Sequence, residues 1–238
     1  MSTLIKIIVT SILSLSLVSC SFNLGVKGNG NVLTKERTID RSFDQIQVSR
    51  GLDVYLTQSE TESLTVQADE NLHDIIITKI EGNVLKIYAD KNIRYAATQK
   101  VMVNFKNISK ISASSGSDVY GTGMISADNL ELESASGGDI ELEVHVNSLD
   151  GIASSGSDIK IKGIAKQLYA KASSGSDIDA THLTTLTTNA SSSSGADIVV
   201  NVSKELTAKA ESGGDIKYLG NPEKVNTSGS VSGSVKQQ

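Results

Sequence analysis

One five-residue motif recurs through the second half of the chain and constrains its fold more than any other feature. It reads Ser-Gly-x-Asp followed by Ile or Val, and its aspartates stand 18 to 21 residues apart. A fixed period of this length predicts a solenoid in which each repeat forms one coil. The six copies contain Gly116 and Asp118, Gly137 and Asp139, Gly156 and Asp158, Gly175 and Asp177, Gly195 and Asp197, and Gly213 and Asp215.

The residues around each motif alternate between apolar or small positions and polar positions. Ile159 and Ile178 occupy one apolar position, and Lys160 and Lys171 occupy polar ones. Alternation with period two predicts strands that bury one face. In the motif itself, glycine permits a positive φ, and aspartate can accept a hydrogen bond from the following backbone. We therefore predict an all-β, parallel β-helix-like solenoid with coils of about 20 residues, stacked about 4.8 Å apart.

Residues 32–110 lack this repeat and alternate as longer strands. We predict that they form a strand-rich N-terminal part that caps the open end of the repeat solenoid at 111–234, so that 32–234 is one continuous domain. Glu81-Gly82-Asn83 predicts a hairpin turn between two apolar runs. The segment from Ser49 to Val54 is an outlying relative of the motif.

The N-terminus has the organisation of a bacterial lipoprotein signal. The apolar run from Ile7 to Val18 is too short to span a bilayer. It leads into Leu17-Val18-Ser19-Cys20, which resembles a lipobox and contains the only cysteine. Residues 1–19 are thus predicted to be a signal peptide, Cys20 the lipidated residue, and 20–31 a flexible tether. The alternative is an ordinary secretory signal followed by a free thiol.

This reading places the protein in the bacterial cell envelope, lipid-anchored at the outer membrane. The residues after Cys20 lack an early acidic cluster, which favours the periplasmic face without excluding the surface face. The formal net charge is −5, so the chain has no basic surplus to neutralise phosphates, and nucleic acid is not an expected partner.

The six motif aspartates are the main candidates for chemistry. Stacked carboxylates repel one another, which raises their pKa values or recruits a cation. The alternative, which we favour, is a structural ladder in which each aspartate accepts turn amide and serine hydroxyl hydrogen bonds. A catalytic site would break the repeat at one place, whereas every copy has the same residue. No catalytic, cofactor-binding or metal residue is therefore assigned, and no cofactor is expected.

The remaining candidate side chains are predicted to be structural. The tyrosines of the repeats lie at different offsets from the motif glycine, so no stacked aromatic strip is expected. The histidines lack metal-ligand spacing, and each is predicted to lie on a surface strand or loop. These residues are Tyr120, Tyr169, Tyr218, His73, His145 and His182.

Several segments together resemble the head GIN-domain family of bacterial exported proteins, for which a role as auto-transporter adhesins has been proposed. The resemblance lies in Arg41 to Gln58, Gly82 to Ile87, the Ser-Gly-x-Asp-Ile repeats, and Tyr218 to Pro222 followed by Ser228-Gly229-Ser230. It covers about residues 31–234. It implies a fold similar to right-handed β-helices and no established catalytic residue.

The resemblance and the repeats together favour a non-catalytic, lipid-anchored envelope protein that adheres or binds through a rigid solenoid. The membrane, through the lipid, is its expected partner. A protein or glycan ligand and a homo-oligomer are both left open. The alternatives are a polysaccharide-binding or polysaccharide-degrading envelope protein, and a cation-binding module that uses the aspartates.

Overall fold

The computed structural model describes residues 25–230 and 232–238. Cys20, the predicted signal peptide and the first part of the predicted tether lie outside these residues. Within the described residues the chain forms eighteen strands and one short 3-10 helix, Glu70–Leu72. It is therefore an all-β protein, as the alternation predicts.

The strands of the N-terminal half are mostly five to seven residues long. They are β1 Val26–Lys27, β2 Val32–Arg37, β3 Gln45–Ser49, β4 Asp53–Gln58, β5 Ser63–Asp69, β6 Ile76–Glu81, β7 Val84–Ala89, β8 Ile93–Tyr95, β9 Gln99–Phe105 and β10 Lys110–Ser114. The second half contains five strands that each run almost a full coil. They are followed by three short ones: β11 Asp118–Ala135, β12 Asp139–Ser154, β13 Asp158–Ser173, β14 Asp177–Ser193, β15 Asp197–Glu211, β16 Asp215–Leu219, β17 Lys224–Gly229 and β18 Ser234–Gln237.

The strands from β11 onward stack in parallel and form the predicted solenoid, which has about seven turns of roughly 19 residues. Equivalent residues of successive coils are hydrogen-bonded neighbours, so Ile140 pairs with Ile159 and Ile159 with Ile178. All three side chains are about 1% exposed. Polar residues between them, such as Lys160, face solvent. The predicted alternation is confirmed.

The solenoid does not begin at residue 111, because the N-terminal half supplies two further layers. Strands β3 and β4 pair in parallel with β10 and β11, and on their other side with β7 and β9. The layer β3–β4 thus lies between two layers that both follow it in sequence, β7–β9 on one side and β10–β11 on the other. The predicted boundary at 110 is wrong for this reason: strands outside the repeat have the same register and buried face as the coils.

Antiparallel strands cover the end of the solenoid that β7 and β9 would otherwise leave open. Strand β6 pairs with β7 across the predicted hairpin, where Gly82 has a φ of 65°. Strand β5 pairs with β9, and β2 pairs with β5. An uncovered end would present a row of unpaired backbone groups. The predicted cap is therefore present, although it consists of β2, β5 and β6 rather than all of 32–110.

The described part of the predicted tether, from residue 25 onward, is bound to the domain. Strand β1 pairs with β8, and the amide of Gly30 donates to Asp69 Oδ2 at 2.8 Å. Asp69 is fully buried and also accepts from the amides of Ala97 and Thr98. A Cβ on Gly28 would lie 2.1 Å from Asp69 Oδ2. Glycine here allows close approach to a buried carboxylate rather than flexibility, which corrects the prediction for these residues.

Candidate functional site

The Ser-Gly-x-Asp segments form a stack of identical turns along one edge of the solenoid. In all six copies the first serine has a φ of 50–60° and the glycine a φ of 66–77°. Arg50 and Gly51 have the same conformation, with φ values of 65° and 73°. The segment from Ser49 to Val54 is thus a seventh copy of the turn.

Buried serine hydroxyls close these turns. Ser157 Oγ accepts from the amide of Ser154 at 3.1 Å and donates to the carbonyl of Ser134 at 2.8 Å. Ser176 Oγ accepts in the same way from the amide of Ser173, at 3.0 Å. The aspartates share the expected role only in part: Asp139 Oδ1 accepts from the amide of Asp158 at 3.1 Å, and Asp215 Oδ1 accepts from the hydroxyl of Ser234 at 2.6 Å.

In two of the three copies whose third motif position lacks a hydroxyl, a serine four residues earlier provides one; the third copy has Ala210 before Gly214. Ser134 Oγ donates to the carbonyl of Gly138, and Ser192 Oγ donates to that of Ala196. A Cβ on Gly138 would lie 2.8 Å from the backbone of Ala113 in the adjacent layer. The small residues of these turns therefore follow from how closely the layers approach.

The motif aspartates form a continuous outward column of seven residues, one more than the repeat predicts. Each is paired in register with the next, and Lys100 and Ser234 occupy the two ends. The four middle aspartates are exposed, and the outer three are half-buried. We call this row the aspartate column; its members are Asp53, Asp118, Asp139, Asp158, Asp177, Asp197 and Asp215.

The carboxyl groups of Asp118 and Asp158 in the column have raised pKa values. Partial burial is the main cause of the raised pKa of both Asp118 and Asp158. Neighbouring charges add to it: Asp139 and Asp177 act on Asp158, and Asp139 and Asp53 act on Asp118. Repulsion between stacked carboxylates has its expected sign here.

A pair of tyrosines lies beside one end of the column. The rings of Tyr55 and Tyr120 stack with centroids 5.3 Å apart and an interplanar angle of 28°. The hydroxyl of Tyr120 donates to Asp118 Oδ2 at 3.3 Å. Burial, followed by the charge of Asp118, raises the pKa of Tyr120 to about 12. Lys100 Nζ lies 5.3 Å from the centre of the Tyr55 ring. The tyrosine pair therefore lies between the amine of Lys100, which contacts Tyr55, and the carboxylate of Asp118, which contacts Tyr120.

The repeat is also interrupted at this place. Gly121-Thr122-Gly123 forms a bulge relative to the next coil, and Thr122 Oγ1 lies 2.6 Å from Thr57 Oγ1. Beside the bulge is a depression of about 260 Å³ that Tyr120 and three charged side chains help to line: Glu141, Glu143 and Lys162. Aromatic and carboxylate groups thus converge here, where no stacked aromatics were expected.

The histidines and the other repeat tyrosines lie in separate places. His145 and His182 are exposed, as predicted. His73 is instead 2% exposed, with Nε2 3.1 Å from the carbonyl oxygen of Leu33; it packs beneath the antiparallel cap. Tyr169 is 38% exposed and Tyr218 is half-buried. Among the described residues, no group of three or more His, Cys, Asp or Glu could hold a metal ion.

Replacing Asp158 by asparagine is expected to stabilise the protein slightly at pH 7. A carboxyl whose pKa is higher in the folded state binds more protons there, so its folding cost is present at neutral pH. That cost vanishes as pH falls through the raised pKa towards the ordinary value. The gain should stay within about 0.5 kcal/mol, since the group is largely solvated, and should disappear near pH 4.

Urea unfolding of the wild type and Asp158→Asn at pH 7 and pH 4 measures this effect. Asp74→Asn removes an exposed carboxylate outside the column and serves as the control. A lower stability of Asp158→Asn at pH 7 would contradict the repulsive column and indicate that the carboxylate is an essential acceptor.

No helix in the described part of the chain is long and apolar enough to cross a membrane. Cys20 lies outside the described residues, so membrane association through a lipid on it stays a prediction.

Solved structures of similar fold come from species of Bacteroides and Parabacteroides. A putative adhesin from Bacteroides fragilis NCTC 9343 is 24% identical, with a TM-score of 0.83 over 90% of this chain and 100% of that one. A putative lipid binding protein from Parabacteroides distasonis ATCC 8503 is 22% identical, with a TM-score of 0.71 over 90% and 99%. A putative adhesin from Parabacteroides merdae ATCC 43184 is 21% identical, with a TM-score of 0.70 over 90% and 98%. These likenesses show the fold.

Comparison with protein families identifies the chain more specifically, although no curated protein matches it. The family described as "Putative auto-transporter adhesin, head GIN domain" matches residues 42–222. This match begins just before β3, ends just after β16 and includes the whole aspartate column. The chain therefore belongs to the head GIN-domain family.

Proposed function

We propose that this protein is a non-catalytic adhesion or binding module, held at the bacterial outer membrane by a lipid on Cys20. The aspartate column is the observation that carries the proposal. It presents the same charged group from seven successive layers, and these layers are held together by stacked, buried apolar side chains. A uniform row on a rigid support suits an extended partner, whereas catalysis by paired carboxylates requires two groups in different environments.

The charge of the column specifies the kind of partner. Four exposed aspartates in consecutive coils form an acidic strip, and complementary charge favours a surface rich in basic groups. Membership of a family described as adhesins supports an adhesive role. The lipobox-like Leu17-Val18-Ser19-Cys20 supports the anchor, because acylation of Cys20 would leave the whole domain outside the bilayer.

Bacteria that display the full chain should attach to poly-lysine-coated plates, and a fourfold column variant should reduce attachment at least fivefold. The variant carries Asp→Asn at 139, 158, 177 and 197. Its matched control removes four exposed carboxylates elsewhere, with Asp74→Asn, Asp90→Asn, Asp128→Asn and Glu223→Gln. Both variants lose the same net charge, so only the arrangement of the charges differs. Equal attachment by the two variants would reject the column as the adhesive surface.

The same cells test the anchor. Cys20→Ala should abolish incorporation of labelled fatty acid, release the protein from the membrane fraction and remove attachment, because the unanchored domain no longer links cell to surface. Label retained in Cys20→Ala would overturn the lipid anchor while leaving the column result standing.

A further inference from the structure

A second depression lies on a different face of the solenoid, away from the aspartate column. It has a volume of about 280 Å³ and spans strands β12 to β15. Two outward rows border it: Asp150, Tyr169, Asn189 and Thr207 are paired in register along one, and Ser148, Gln167, Thr187 and Glu205 along the other. We call it the Tyr169 groove. Tyr169 stands eleven residues after Asp158, about half a coil away.

The floor of the groove coincides with a local break in the internal ladder. Leu149, Leu168 and Leu206 occupy one inward position of their coils, and Thr188 replaces leucine between Leu168 and Leu206. Thr188 is 3% exposed and its Oγ1 lies 2.7 Å from Thr185 Oγ1. Leu168 and Thr188 both line the depression. The groove therefore occupies a specific place in the repeat.

The side chains on the rim are not committed to contacts within the protein. Among the described residues, Asp150, Gln167, Tyr169, Thr187 and Asn189 form no side-chain hydrogen bond or ion pair. Tyr169, Gln167 and Asn189 are exposed.

Side chains at and beyond the two ends of the groove do form hydrogen bonds or ion pairs, and Glu205 lies at its β15 end. Lys110 bridges Glu131 and Glu133 at 3.0 and 2.8 Å, and Glu205 accepts from Lys224 and Asn226. The rim residues on β12, β13 and β14 therefore keep amide, hydroxyl and aromatic groups that form no hydrogen bond or ion pair within the described part of the protein. These groups are free to bind a ligand.

The composition of the rim fits one ligand class. An aromatic ring can stack on the apolar C–H face of a pyranose, and amide side chains provide both a donor and an acceptor for neighbouring hydroxyl groups. The spacing between coils, about 4.8 Å, is similar to the length of one sugar in an extended chain. No lysine or arginine lines the groove, so it offers no partner for an acidic sugar.

We propose that the Tyr169 groove binds an uncharged oligosaccharide, with Tyr169 as the stacking platform and Gln167 and Asn189 as hydroxyl-binding amides. Successive sugars would lie along the solenoid, across β12 to β15. This site goes beyond the adhesive role of the aspartate column, shares no residue with it and does not depend on it.

Calorimetry with four neutral hexasaccharides, built of glucose in β-1,4 or α-1,4 linkage, of xylose or of mannose, tests this site. The full chain carrying Cys20→Ala is used so that the protein stays in solution, and an oligogalacturonate serves as the acidic comparison. At least one neutral hexasaccharide should bind. Tyr169→Ala should weaken that binding at least tenfold, Asn189→Ala several-fold, and Tyr169→Phe little, because the ring remains.

Lys171→Ala, an exposed neighbour outside the groove, is the matched control and should leave binding unchanged. Circular dichroism of each variant verifies its fold. Absence of binding by all four neutral sugars, stronger binding of the oligogalacturonate, or equal binding by Tyr169→Ala would each overturn the proposal. The fourfold column variant should bind the sugar normally, so failure of the adhesive role and failure of the groove give different results.

Discussion

Ile159→Ala should lower the free energy of unfolding by about 2–5 kcal/mol. Ile159 is 1% exposed and lies between Ile140 and Ile178 in the central ladder. Shortening it removes apolar contacts with both adjacent coils and leaves a cavity that the stacked backbones cannot collapse to fill. Urea-induced unfolding followed by circular dichroism measures the loss.

Lys160→Ala is the control, since it changes the next residue of the same strand on the opposite face. Its amine lies 3.8 Å from Glu141 in an exposed pair, and removing such a pair should cost no more than about 0.5 kcal/mol. Equal losses at the two positions would contradict the assignment of buried and exposed faces.

Gly163→Ala should destabilise the solenoid by ~3 kcal/mol, through backbone geometry rather than lost contacts. Gly163 has a φ of 113°, and a Cβ there would lie 2.1 Å from the carbonyl oxygen of Val144. Both atoms belong to hydrogen-bonded coils, so relief of the clash requires the two coils to separate locally. Thermal and urea unfolding would both register the change.

Two other glycines separate the effects of φ and of space. Gly156 has a φ of 66° but nothing within 4 Å of an added Cβ, so Gly156→Ala should cost about 1–2 kcal/mol. Gly123 has equally open space and no unusual φ, so Gly123→Ala should be nearly neutral. An effect of Gly163→Ala no larger than that of Gly156→Ala would show that the coils yield readily.

The second half of the fold is predictable because each coil repeats one pattern. The alternation around Ile159 and Ile178 assigns the buried face correctly without any long-range information. The hydrogen bonds of the turns were also visible in the sequence. Ala153 accompanies Ser157 and Ala172 accompanies Ser176, whereas Ser134 accompanies Gly138. This exchange of positions is the signal of one buried hydroxyl in these turns, and the copy with Ala210 and Gly214 is the exception.

The layers of the first half could not be predicted in the same way. Their strands alternate correctly, but nothing in a single strand states that β3 and β4 lie between segments that follow them. The sequence around Gly28 predicts a flexible tether wrongly, because glycine and asparagine occur both in flexible tethers and where two backbones approach closely. His73 gave no signal of burial, since the cap that covers it is formed by strands distant in sequence.

The tyrosine pair did leave a signal. Tyr55 follows Asp53 by two residues, and Tyr120 follows Asp118 by two residues. Once the segment from Ser49 to Val54 is recognised as a copy of the turn, equal offsets predict adjacent rings. The Tyr169 groove is harder to predict from the sequence. Its residues belong to no motif, and only the register of β12 to β15 shows that they lie side by side.

The placement of β3–β4 between β7–β9 and β10–β11 determines the order in which the chain can fold. A simple solenoid adds coils one after another, and each new coil finds its template already formed by the preceding residues. Here the template coil stays incomplete on both sides until residues up to about 121 are present, so the folding nucleus must close several loops at once. Loop closure of this kind slows the first step. Nucleation in the N-terminal half, followed by rapid addition of the repeat coils, would let the long polar repeats pair in register on an existing edge rather than with one another.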